Sequence, residues 1–274
     1  MAENRPRGLN IKLKAGIAMI GVLIFTAIFA QFIATADPTA SSLAERLMPP
    51  GEGGLLGTDH LGRDVFSRFL HGARLSVAIS LATLAASVML GIIGGLLAGY
   101  FGGVCDSVVM FIIEVLLAFP GMILSLAIVS VAGGGMLNAV IAICLVSWIG
   151  YARLVRGMTL SLKERDFVKA ARISGTGGFG ILIRHILPNV LSPVIIYSAT
   201  NVSVIMIQLA GLSFLGFGVQ PPTAEWGSML SEARGYITTA PWMTIAPSAG
   251  LVFMITGFNL FGEGLAQYIR KEKS

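Results

Sequence analysis

Side chains able to do chemistry are sparse in this chain, and the few that occur form no catalytic set. Of its 3 histidines, His60 and His71 stand eleven residues apart with no third ligand nearby, which makes no metal site. Its 2 cysteines, Cys105 and Cys144, lie in apolar surroundings and read as small buried hydrophobes, not as a disulfide framework or a metal set. No Gly-x-x-x-x-Gly-Lys-Ser/Thr phosphate loop, His-Glu-x-x-His or Gly-x-Ser-x-Gly occurs, and no glycine is followed directly by lysine. The sequence therefore predicts no catalytic residue, no cofactor in this chain and no enzyme activity of its own. Two features carry chemistry of another kind: a carboxylate, Glu114, set within a long apolar run, and a basic stretch at 153–188. An ionisable group inside a membrane span is a functional candidate by default, so Glu114 is a candidate intramembrane polar site. Its competing role is a carboxylate near the headgroups, paired to the basic stretch.

The elements that must hold these residues are long and apolar. The chain is 55% hydrophobic and 12% charged, whereas about 25% of a soluble domain is charged. The class is an integral membrane protein. A formal net charge of +5 invites nucleic acid, but the basic residues stand in loops between apolar runs, where insertion topology accounts for them. No nucleic-acid partner is expected. Spans are predicted at 15–36, within 75–105, and at 107–131, 137–152, 189–212 and 243–262, each set against a hydrocarbon core of about 30 Å. The first resembles a signal peptide ending at Ala34-Thr35-Ala36, but it exceeds the roughly 7–15 apolar residues of one and reads as a retained span. With the N-terminus inside, the inside segments hold four, seven and three basic residues, and the outside segments four and one. The positive-inside rule selects that orientation, with both termini cytosolic.

Within these elements, Gly91, Gly95, Gly99 and Gly103 recur every four residues, a stripe that lets another helix backbone approach closely. Pro120 is expected to kink the third span. Between spans one and two, Asp59, Arg63, Asp64 and Arg68 are expected to make a charged helical surface, with Val65, Phe66, Phe69 and Leu70 at the membrane interface. Residues 213–242 read as an irregular amphipathic segment. Its part 218–236, with Glu225, Trp226 and Arg234, is expected to be external surface or a pore mouth, the plainer alternative being a hairpin resting on the bilayer.

The basic stretch 153–188 carries seven of the 19 Lys and Arg residues. A short helix is predicted from Asp166 to Gly175, with Phe167, Ala170, Ala171 and Ser174 on one face and Lys169 and Arg172 on the others. Gly175 can supply the left-handed residue that ends it. A turn with Gly177, Gly178 and Gly180 follows, and Pro188 is expected to open the next apolar run and fix its return angle. A short helix with a small-residue face, held between two spans, suits docking into a groove on a soluble partner. An ordinary basic cytoplasmic loop is the plain alternative.

The residue order here resembles the loop signature of ABC-importer permeases: Glu-Ala-Ala, three residues, Gly, nine residues, Ile-x-Leu-Pro. It stands as Lys169-Ala170-Ala171, Gly175 and Leu187-Pro188, with Lys169 replacing the glutamate and His185 where the isoleucine would be. The stretches LGTDHLGRDVFSR (56–68), GARLS (72–76), AGYFGGVCD (98–106), LSFLGFGVQPPTAEWGSML (212–230) and FNLFGEGL (258–265) resemble the dipeptide/oligopeptide/nickel branch of that superfamily. SWIGYARLVRG (147–157) looks more like its nickel or metal-chelate members.

That resemblance implies an all-α integral membrane fold of six transmembrane helices, with a cytosolic coupling helix between spans four and five. It divides the chain into 1–72 (tail, first span, external segment), 73–265 (core, with coupling loop 153–188) and 266–274 (cytosolic tail). The implied partners are a sister permease in a heterodimer, two ATPase subunits that carry ATP and magnesium, an external solute-binding protein, and the lipid of a bacterial inner membrane. The implied solutes are small peptides or nickel and other metal chelates. Asp166, Phe167, Lys169, Ala170, Ala171, Gly175, Leu187 and Pro188 would couple the chain to the ATPase, and Glu225, Trp226 and Arg234 would face the solute-binding protein. Two other classes stay open: an ion-coupled secondary transporter with a midplane site, hinted at only by Glu114 and Pro120, and a non-transporting membrane assembly protein, which has no use for a docking helix.

Overall fold

The structure is a computed structural model that describes residues 10–272, with side chains as far as Ile269. Ten α-helices succeed one another among the described residues: α1 (Ile11–Ile33), α2 (Val65–Phe101), α3 (Gly103–Leu117), α4 (Gly121–Ala132), α5 (Met136–Leu162), α6 (Asp166–Ile173), α7 (Gly178–Ile181), α8 (Leu187–Phe214), α9 (Trp226–Ala233) and α10 (Trp242–Glu272). There α1, α2, α5, the run Gly178–Phe214 and α10 are each long and apolar enough to cross a membrane, while α3 and α4 meet that test only as a pair bent by 93°. The fold class is thus all-α, as expected.

Several boundaries differ from the expected ones. Pro120 does not kink one span but separates two helices: it stands just ahead of α4, has no N–H to continue α3, and forces Phe119 out of helical geometry. The helix α2 begins ten residues before its apolar run, because Asp64 caps it, accepting from the Ser67 amide at 2.9 Å. The basic stretch 153–188 is mostly helix, with α5 running to Leu162 and helix resuming at Gly178. The chain therefore turns in the breaks at 163–165 and 174–177 and not at Pro188, the second residue of α8.

Just before that proline the helix widens into a π-helical turn over Leu182–Ile186, closed by the Leu187 amide on the Leu182 carbonyl. An α-helix would bring the proline ring against the carbonyl of Arg184, and the wider turn relieves it. Asn189 Nδ2 donates to the His185 carbonyl at 2.6 Å and so satisfies it. The widening also keeps Leu182, Ile186, Val190 and Val194, spaced by fours, on one buried side, where an ideal helix of 3.6 residues per turn would drift off line.

The chain divides into two compact units, one of residues up to 75 with 199–204 and 224 onward, the other of 76–198 and 205–223. In the first, α1 and α10 run antiparallel through glycine contacts: Gly16 lies against the backbone of Phe261, and a Cβ on Gly264 would stand 2.5 Å from Leu13 N. Lys12 Nζ meets Glu263 Oε2 at 2.6 Å at the polar end. In the second, α2 and α5 cross at glycines. A Cβ on Gly95 would lie 2.6 Å from the Ala152 carbonyl oxygen and one on Gly99 2.7 Å from Thr159 Cβ, while Gly91 abuts Tyr151. The expected four-glycine stripe is a three-glycine stripe. Gly103 is not part of it, since φ is +65° at Gly102 and +52° at Gly103 and the chain has left the helix line.

Candidate functional site

The amphipathic helix α6 is built as the sequence predicts at its C-terminal end. Gly175 takes φ +82°, its amide reaches the Arg172 carbonyl at 3.1 Å, and the Thr176 amide reaches the Ala171 carbonyl at 3.0 Å. This pair of reversed bonds around a left-handed glycine is the Schellman stop. At the other end Asp166 occupies the first turn, where a negative charge opposes the helix dipole favourably. Lys169 stands 4.0 Å from Glu164, both exposed, a pair that contributes little.

The packing of α6 rests on a residue the sequence reading passed over. Val168 is fully buried, in one core with Val155, Ile181, Leu182 and Ile186, and so pins α6 to α5 and to the start of the α7–α8 run. Phe167, Ala170 and Ser174 are exposed and Ala171 half-buried, so the small-residue face points away from the protein. Around it Ile173 (87% exposed), Phe179 and Ile183 are also uncovered. An open concavity of about 530 Å³ lies beside the helix, lined by Gly175, Thr176, Phe179, Ile183 and Arg184 among others. Leu187 and Pro188 lie beyond this surface, on α8.

Arg156 on α5 grips Asp106 of α3 with two bonds, Nε to Oδ1 at 2.5 Å and Nη2 to Oδ2 at 2.7 Å. Lys163 Nζ donates to the Gly99 carbonyl at 3.2 Å. The carboxylate paired to the basic stretch is therefore Asp106 and not Glu114, which is exposed on α3 three residues before that helix ends.

Residues 91–274 match the family of binding-protein-dependent transport system inner membrane components. The chain is 41% identical over 257 residues to a glutathione transport system permease protein of Pectobacterium atrosepticum, covering 93% of this chain and 85% of that one. It is 40% identical over 256 residues to a di/tripeptide transport system permease protein of Pseudomonas aeruginosa, covering 91% and 84%. To a nickel transport system permease protein of Escherichia coli it is 38% identical over 257 residues, covering 94% and 93%. The chain belongs to this permease family.

The permease carries a second polar assembly, in its other unit, that local spacing did not reveal. Asp59 Oδ2 accepts from Arg63 Nε at 2.6 Å and lies 3.4 Å from Arg68 Nε. Glu232 of α9 accepts from Arg63 Nη2 at 2.8 Å and from Arg68 Nη2 at 2.6 Å. Asp59, Arg63 and Arg68 are buried, so they are not the charged helical surface expected of them, and Val65 and Leu70 are core residues and not interfacial. The partner that makes burial tolerable, Glu232, comes from more than 160 residues downstream. Its one signal in the sequence is a lone acidic residue in the otherwise uncharged 226–233 segment.

Glu225 and Trp226 also depart from expectation, at 3% and 0% exposed. Glu225 is the N-cap of α9, accepting from the amides of Gly227 and Ser228 at 2.9 Å. Trp226 stacks on Phe69 at 5.4 Å and donates Nε1 to the Phe69 carbonyl at 3.0 Å. Neither presents a surface. Arg234 does. His60 stacks on Tyr236 at 5.5 Å, and His71 Nδ1 lies 2.9 Å from the Ser67 carbonyl oxygen.

Proposed function

We propose that this permease is one of two different membrane subunits of an ATP-driven importer, and that α6 is the part gripped by an ATPase subunit. The supporting observation is the exposed apolar face of α6 above a fully buried Val168. Eight residues are too few for a helix to persist alone in water, and an uncovered apolar patch on a polar loop marks a protein contact. Asp166, Phe167, Lys169, Ala170, Ala171 and Gly175 make that contact, and Leu187 and Pro188 carry its movement into α8. ATP and magnesium belong to the two ATPase subunits.

Counting α3 and α4 as one crossing gives six spans and puts both termini and α6 on the cytosolic side of the inner membrane. The segment between α1 and α2 then lies outside with α9, and Arg234 faces the solute-binding protein. Glu114 faces the sister permease or the path between the two, because a carboxylate held against hydrocarbon is costly. The solute is a small peptide or a metal chelate, in line with relatives of similar identity named for glutathione, di- and tripeptides, and nickel. Closure of the ATPase pair moves α6 and rocks α5 and α8 as a rigid body.

Ala171→Arg places a long cation in the contact face. It should abolish uptake and uncouple hydrolysis while the protein still inserts, and deletion of 166–175 should abolish copurification of the ATPase. Normal uptake by Ala171→Arg would overturn the assignment.

A further inference from the structure

The first unit is hollow beside α1. Small side chains meet large rings there: Ala73 of α2 and Gly250 of α10 lie near Phe69 and Trp226, and a Cβ on Gly250 would come within 2.7 Å of both rings. Beside these close contacts lies a cavity of about 310 Å³. Its floor includes Leu23, Ala73, Trp226 and Gly250, all buried, and its mouth lies at Val22 and Phe253, both exposed. No charged side chain lines it. The Thr26 hydroxyl donates to the Leu23 carbonyl at 2.9 Å, and the Trp226 indole N–H is turned to the Phe69 carbonyl. A cavity so lined offers water too few partners and stays dry.

Its position decides what can enter. Val22 is midway along the 23 residues of α1, a helix long and apolar enough to span the bilayer with only 17% of its apolar window buried. Phe25, Ile28, Phe29 and Phe32 keep the outward face of α1 apolar and exposed on from the mouth. The cavity is thus continuous with the bilayer-facing surface at mid-depth, where the medium is hydrocarbon. An empty hollow would forfeit the dispersion contacts of all its lining atoms, and an alkyl chain restores them without needing a hydrogen bond.

We infer that this cavity binds one acyl chain of a bilayer phospholipid, which passes between α1 and α10 and ends on the Trp226 indole. Trp226 begins α9, and Glu232 on the same helix closes the buried cluster of Asp59, Arg63 and Arg68. The chain therefore props the helix that completes that cluster.

The permease has 3 tryptophans, so Trp148→Phe with Trp242→Phe leaves Trp226 as the sole emitter. In the purified permease, reconstituted in nanodiscs of phosphatidylcholine brominated at mid-chain, its emission should be at least halved relative to the unbrominated lipid, because the indole is shielded from bulk lipid and only a chain in the cavity can bring bromine against it. Ala249→Phe, at the exposed lip, should restore emission. Equal emission in the two lipids overturns the site. A phospholipid with a photoreactive acyl chain gives an independent readout on the wild-type complex: adducts on peptides spanning 22–26 or 249–253 support the site. Their absence overturns it, as does a photoreactive residue at 253 cross-linking to the sister permease instead of lipid. Copurification of the ATPase is scored separately, so failure here leaves the role of α6 untouched.

Discussion

Glu232→Gln tests whether the segment between α1 and α2 is held by buried charge. Its carboxylate serves two guanidinium groups at 2.8 and 2.6 Å, and the four charges of the cluster sum to zero. The amide leaves two cations and one anion buried together, and its NH₂ turns a donor toward donors. Asp59 cannot take over: Oδ2 already serves Arg63, and Oδ1 accepts the amides of Leu61 and Arg63 at 2.8 and 3.0 Å. Removing one partner of a buried pair costs about 3–5 kcal/mol. At about 2–4 °C per kcal/mol for a chain of this size, the thermal midpoint should fall by roughly 10 °C. Tryptophan fluorescence of the purified permease reads it well, because Trp226 and Trp242 both border the segment. Arg68→Met with Glu232→Met leaves the neutral Arg63–Asp59 pair beside an apolar contact and should recover most of the loss. A midpoint shift for Glu232→Gln no larger than the ~1 kcal/mol of an exposed pair would refute the reasoning, since water would then be reaching the cluster.

Three further outcomes follow from close contacts. Gly95→Leu drives a side chain into the Ala152 carbonyl and Val155, an overpacking of about 1–3 kcal/mol that should abolish uptake, whereas Gly103→Ala, with open space around it, should retain uptake and cost only about 1 kcal/mol for its positive φ. Gly175→Ala should weaken ATPase copurification by fraying α6, at about 1–2 kcal/mol, while Gly177→Ala, at φ −65°, should leave it unchanged. Asp106→Asn should lower the unfolding free energy by no more than about 1 kcal/mol in a denaturation titration, because both partners of this ion pair are partly exposed, and the swap Asp106→Arg with Arg156→Asp should restore it.

What was legible in the sequence was what depends on composition or on neighbours within one turn. The apolar runs, the left-handed role of Gly175 and the α2 glycines at 91, 95 and 99 all follow from local rules. The failures share a different cause. Arg63 and Arg68 look like surface charges because Glu232 is distant in sequence, and Trp226 looks like external surface because Phe69 is distant too. Pro120 within an apolar run predicts a kink, but the chain breaks there into two helices at 93°, because proline cannot continue α3 and disfavours helical geometry at the residue before it. Val168 gives no pattern in the sequence, because the face of α6 that holds the helix to the protein carries this one valine.

That valine bears on how force could enter the membrane. A helix of eight residues has no intrinsic stiffness to transmit, so any push on Phe167 or Ala170 reaches the spans only through what restrains α6. Two restraints act: the glycine stop fixes where the helix ends, and Val168 locks it into a core shared with Tyr151 and Val155 of α5, with Ile186 of the π-helical turn and with Val190 and Val194 of α8. Val168→Ala should therefore separate docking from drive. The exposed contact face is untouched, so the ATPase should still copurify, but a cavity of about two methyl groups under the helix costs about 1–3 kcal/mol and loosens the joint. Uptake should fall while ATP hydrolysis continues. Loss of copurification together with uptake would place Val168 in the contact itself and refute the division between a docking face and an anchoring face.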